Sequence, residues 1–126
     1  MGYSKEEKGV YISKMKTKTK KFAVDIIHSC NTLPNSQATR TITYQIIKSA
    51  TSTGANYRAA CRGRSKAEFH SKISIVIEEA DESQYWIELI KDTNIKCDLK
   101  ELERLNAEIS EILAIVNKAR SNTQKA

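Results

Sequence analysis

The hydrophobic pattern of the chain falls into four segments of helical period. The sharpest passes through Phe69, Ile73, Val76, Ala80, Ser83, Ile87 and Ile90, where spacings of four and three alternate and keep one face of a helix inward. Ile77 and Trp86 lie off that seam and Leu89 beside it, so the apolar surface is wider than one partner helix would cover, as in a bundle core or a subunit interface. Leu102, Leu105, Ile109, Ile112, Val116 and Ala119 repeat the spacing and predict a second helix of this kind. Upstream, Ile42, Ile46, Ala50, Thr53, Tyr57 and Ala60 form a third stripe. Phe22, Ile26, Cys30 and Leu33, with Ala23 and Ile27 beside them, form a shorter fourth.

Start and stop signals separate these stripes. Helix one ends before Pro34, in the turn-forming stretch from Asn31 to Ser36. Helix two starts between Ser36 and Thr39 and runs to about Arg62, where Gly63 supplies the stop. Ser65 and Glu68 have the spacing of a capping box for helix three, and Asp98 and Glu101 repeat it for helix four. Ser49 to Ala55 are seven consecutive small residues of poor helix propensity, which places a close helix crossing near Ala50, Thr53 and Gly54. Four helices with short connections predict an all-α fold, an antiparallel up-down-up-down four-helix bundle spanning 19–120, with helices two and three the longest. The alternating lysines between Lys14 and Lys20 suggest a basic mobile N-terminal arm over residues 1–18, and the polar residues 121–126 a frayed tail.

Charge divides this bundle. The formal net charge of +6 is the balance of +5 over residues 1–21, −1 over 22–35, +6 over 36–72 and −4 over 73–126. A basic face for an anionic partner and a solvated or paired acidic face follow. Cys30, Cys61 and Cys97 are odd in number and lack a CxxC pair, so they read as buried apolar thiols in a reducing compartment. No stretch has the ~20 consecutive apolar residues of a membrane span, and no signal-peptide core precedes residue 21, so a cytoplasmic protein without membrane association is expected.

Catalytic chemistry finds no foothold. Asp25 and His28 are spaced as in a di-metal bundle, but the other histidine, His70, has no carboxylate three residues before it, so no metal site is expected. Nucleophile elbow, Walker loop and dinucleotide fingerprint are absent, and a non-enzymatic protein without cofactor is expected. Glu78, Glu79, Asp81 and Glu82 fall mostly away from the seam and read as a solvated or partner-facing acidic strip. The corner between helices two and three is different: Arg58, Arg62, Arg64 and Lys66 crowd into nine residues, with Lys72 extending the region. Cations in the last turn of helix two offset the helix dipole by ~0.3 to 1 kcal/mol each, which accounts for Arg58 and Arg62. Arg64 and Lys66 sit where positive charge opposes the next dipole, and suggest phosphate binding. Tyr57 is either a core residue or a stacking platform for a base.

The stretch from Asn56 to Phe69, with Gly63-Arg64-Ser65 and Glu68-Phe69, followed by Ala80-Asp81-Glu82-Ser83 and Tyr85-Trp86-Ile87-Glu88-Leu89, resembles the small four-helix bundle protein family. That family includes proteins encoded in intervening sequences of bacterial 23S rRNA genes and the accessory variability proteins of diversity-generating retroelements. The resemblance runs from about Phe22 to Val116. Where the family has Asn-Ile-Ala-Glu-Gly, this chain has Asn56-Tyr57-Arg58-Ala59-Ala60, which makes its corner more basic. The resemblance implies an antiparallel bundle that forms a ring, typically a pentamer, with a basic surface. In the retroelement branch the ring binds a reverse transcriptase and nucleic acid. It transfers Arg62, Arg64 and Lys66 as candidate contacts, and Asn56, Gly63, Ser65, Glu68 and Phe69 as turn and capping residues. Two functions compete: a nucleic-acid-binding (RNA or DNA) homo-oligomeric adaptor with a partner such as a reverse transcriptase, and a structural oligomerisation module that binds no nucleic acid.

Overall fold

Ser4 accepts a hydrogen bond from the Glu7 amide (3.1 Å), and the Glu7 carboxylate accepts one from the Ser4 amide (3.3 Å), closing a capping box that starts the first helix. In a computed structural model, which describes residues 4–124, the chain forms α1 (Lys5–Cys30), α2 (Gln37–Cys61), α3 (Lys66–Asp92) and α4 (Leu99–Gln124). The helices have 26, 25, 27 and 26 residues, so all four are alike in length. Each packs on its two neighbours around a square: α1 on α2 and α4, α3 on α2 and α4. Pairings along the seams run in opposite sequence directions. Lys18 meets Glu108 and Glu111 whereas Asp25 meets Arg104, and His70 meets Thr123 whereas Gln84 meets Asn106 and Ser110. Adjacent helices on these seams are antiparallel.

The expected arm is the main correction. Residues 5–18 are helical and continue into α1, with Met15 3% and Thr19 0% exposed. The lysine alternation does not repel the segment from the core, because steps of two residues distribute side chains around a helix. Thr19 hides the stripe in the sequence; its hydroxyl donates to the Met15 carbonyl (2.9 Å), which satisfies it internally and lets the residue be buried. At the other end, residues 121–124 continue α4 rather than fray from it. The remainder of both expected segments, 1–3 and 125–126, lies outside the described residues.

Two apolar clusters fill the bundle. One joins Phe22, Ile26, Ile46, Ile87, Leu105 and Ile109 with their neighbours; the other, nearer the α2–α3 corner, joins Met15, Tyr57, Ala60, Ile73, Val76 and Val116. Thr19 and Thr53 fall in sequence where the clusters part, both fully buried, and Thr53 donates to the Ser49 carbonyl (2.8 Å). Ser83, the polar member of the α3 seam, lies 2.8 Å from Ser49 Oγ across the α2–α3 contact. The small-residue run does place a close approach: a Cβ on Gly54 would meet the Thr19 carbonyl oxygen at 3.5 Å.

Candidate nucleic-acid interface

The α2–α3 corner is built from two tight helix ends. Arg62 caps α2, and the Gly63 amide donates to the Ala60 carbonyl (3.0 Å). Gly63 is not in the left-handed region expected of a stop glycine; that conformation is found at Asn94, which closes α3 with φ 57. Gly63 is favoured by space instead, because a Cβ there would stand 3.1 Å from the Ala60 oxygen and 3.2 Å from the Phe69 nitrogen, tighter than side chains ordinarily pack. Ser65 then caps α3, accepting from the Glu68 amide (3.1 Å). Glu68 does not complete the expected capping box at Ser65. Its carboxylate accepts instead from the Arg64 amide and also faces the Arg64 guanidinium at 3.7 Å.

This turn opens an outward-facing depression of about 460 Å³, lined by Ala59, Arg62, Gly63, Arg64, Ala67, Glu68, Ser71 and Lys72. Three of the five expected contacts, Arg62, Arg64 and Lys72, therefore share one concavity. Arg58 and Lys66 are exposed but lie outside its lining. Among the described residues, Arg58, Arg62, Lys66 and Lys72 make no ion pair within 4.0 Å. Tyr57 is 4% exposed and belongs to the corner-side core, so its ring is not a platform for a base. Burial pushes its phenol well above the ordinary tyrosine range, with Cys61 and Tyr11 adding to the effect.

The α1 lysines sort by face. On the α4 side, Lys18 contacts Glu108 (2.7 Å) and Glu111 (3.1 Å), and Lys21 contacts Asp25 (2.7 Å). Burial alone would lower the Lys18 pKa, but its two carboxylate partners outweigh it and hold the ammonium above its usual range. Lys16 and Lys20 make no such pair among the described residues. The Thr19–Gly54 contact sets their level: Lys16 precedes Thr19 by three residues and Arg58 follows Gly54 by four, about 4.5 and 6 Å along oppositely directed helices. Lys16 and Arg58 thus stand at similar height along α1 and α2.

The opposite sign gathers on α3, where Glu78, Asp81 and Glu82 are exposed and Glu79 is half-buried. Burial, Glu82 and Glu78 push the Glu79 carboxyl up, against the pull of Lys48. Among the described residues, no group of three or more His, Cys, Asp or Glu side chains is placed to hold a metal ion. His28 is exposed, and His70 Nδ1 bonds with Thr123 Oγ1 at 2.9 Å. No helix is long and apolar enough to cross a membrane among the described residues.

No curated protein matches the chain significantly. Among solved structures, it is similar to the crystal structure of a protein of unknown function from the S23 ribosomal protein family of Bacteroides thetaiotaomicron. The two are 33% identical, with 87% of this chain and 97% of that one covered and a TM-score of 0.77. The model of the 23S rRNA-intervening sequence proteins matches residues 13–118, a span that holds the corner, the α1–α2 seam and most of all four helices. The chain belongs to the 23S rRNA-intervening sequence protein family.

Proposed function

We propose that this bundle is a non-enzymatic nucleic-acid-binding protein that engages phosphates at the α2–α3 corner. The observation that carries the reading is the convergence of Arg62, Arg64 and Lys72, from a helix end, a turn and the next helix, around one exposed depression. Concave cationic surfaces concentrate phosphate and bind it with a strength that falls as salt rises. Arg58, Lys66, Lys16 and Lys20 extend the surface beyond the depression. RNA or DNA, with a protein partner such as a reverse transcriptase, is the ligand class that the family resemblance suggests.

Fluorescence anisotropy with mixed-sequence single-stranded RNA, and separately DNA, tests the reading across a salt series. Replacing Arg62, Arg64 and Lys72 together by Ala should flatten the slope of log K against log salt by about 2, at roughly 0.7 per lost phosphate contact. An unchanged slope assigns the contacts elsewhere, and no binding at low salt favours the structural module. A specific observation supports assembly as an accompanying property. Tyr44 (67%) and Tyr85 (54%) are exposed on α2 and α3, and the basic α2 and acidic α3 surfaces have opposite signs, which suits a heterologous contact between two different faces. We propose a ring, with the pentamer as its expected size; a monomer by light scattering at micromolar concentration refutes it.

A further inference from the structure

The basic depression already holds an anion of its own. Glu68 lines it together with Arg62, Arg64 and Lys72, and among the described residues Arg64 is the one of these three cations that has an ion pair. The pairing has two parts, the Arg64 amide donating to Oε2 and the guanidinium standing 3.7 Å from Oε1. The second part is loose. The Arg64 side chain is 90% exposed and that of Glu68 47%, so water screens the attraction and little holds the guanidinium in place. A carboxylate in this position presents to Arg64 what a phosphate would present, negative oxygens able to accept from both an amide and a guanidinium.

We propose that Glu68 is a built-in competitor for nucleic-acid phosphate at this corner, and that binding displaces its carboxylate from Arg64. The inference rests on the reading of the corner as a phosphate site and adds its regulation. Glu68 weakens binding in two ways, by repelling the incoming phosphate and by occupying Arg64. It also gives the site discrimination, because a weakly charged ligand cannot displace it whereas a polyanion contacting Arg62 and Lys72 at the same time can. Glu68→Gln keeps an acceptor for the Arg64 amide, since a glutamine carbonyl can take the same hydrogen bond in its weaker, neutral form.

The test compares wild type, Glu68→Gln and Glu88→Gln for binding of mixed-sequence single-stranded RNA by fluorescence anisotropy at several salt concentrations. Glu88 is exposed on the same helix, about 30 Å along it, well beyond the screening length at physiological salt. Glu68→Gln should bind roughly four-fold more tightly, the effect of removing one like charge about 5 Å away in water, while Glu88→Gln should match wild type. If wild type binds and Glu68→Gln binds no more tightly, or Glu88→Gln gains as much, Glu68 is no competitor. If neither wild type nor Glu68→Gln binds, the phosphate reading falls and this inference with it. A second measurement needs no variant: in wild type the Arg64 amide resonance should shift as RNA is added, and an amide that stays put in a protein that binds RNA overturns the displacement.

Discussion

Replacing each of two glycines by alanine should move stability in opposite directions. At Gly54, inside α2, an added Cβ meets the Thr19 carbonyl oxygen at 3.5 Å and its hydroxyl at 3.6 Å, ordinary contact distances. Nothing has to move, and alanine recovers up to ~1 kcal/mol of helix propensity. At Gly63 the Cβ would stand 3.1 Å from the Ala60 oxygen and 3.2 Å from the Phe69 nitrogen. Both atoms are backbone fixed by hydrogen bonds, the oxygen accepting from the Gly63 amide itself and the nitrogen donating to the Ser65 carbonyl. Overpacking of this kind costs ~1 to 3 kcal/mol, partly offset by ~0.4 to 1 kcal/mol from the stiffer unfolded chain. The two variants should differ by about 2 kcal/mol, or by roughly 6 to 10 °C in Tm for a chain of this size. Urea unfolding followed by circular dichroism measures both. Destabilisation of Gly54→Ala by more than about 1 kcal/mol would show that α1 and α2 are closer than their backbones indicate, and a Gly63→Ala variant at least as stable as wild type would show that the corner yields.

Three further outcomes follow from the geometry. Met15→Ala should cost ~2 to 5 kcal/mol in urea unfolding if the front of α1 is part of the core, and almost nothing if that segment is an arm. Burial pushes the Asp25 carboxyl up, but Lys21 and Arg104 outweigh it and hold it below the usual range, so its contribution is present above about pH 4 and lost as pH falls through the folded value; Asp25→Asn should be less stable at neutral pH and lose less on acidification, and parallel curves for the two proteins would contradict the pairing. Burial pushes the Cys30 thiol up to about 11; iodoacetamide at pH 8 should therefore modify it on the order of 100-fold more slowly than an unperturbed cysteine, as peptide mass spectrometry can follow.

The stripes of α2, α3 and α4 were legible because each repeats an apolar or small residue at helical spacing over many turns. All members of the α2 stripe are buried, and on α3 even Ser83 is. The first half of α1 was not legible, since its inward residues are a methionine and a threonine separated by lysines, and the carboxylates that pair with Lys18 are about 90 residues away in sequence. The corner was legible as a concentration of cations. Which of them share a surface was not, because that depends on how tightly Gly63 folds the turn: Lys72 is brought to the depression, whereas Lys66, closer in sequence, is left out. Pattern also identified Ser65 and Glu68 as a capping pair without revealing that the carboxylate reaches past Ser65 to Arg64.

The division of the core into a larger and a smaller cluster has a dynamic consequence. The corner rests on the smaller one, Met15, Tyr57, Ala60, Ile73, Val76 and Val116, beyond the buried threonines. Less apolar contact is lost when that end opens, so its opening free energy should fall well below that of global unfolding, while the distal end stays closed. Amides around Ala60 and Ile73 would then exchange with deuterium ahead of those around Ile46 and Ile109. A bundle of four equal rods would behave mechanically as a rigid shaft with a compliant tip, and the tip is the part that carries the cations.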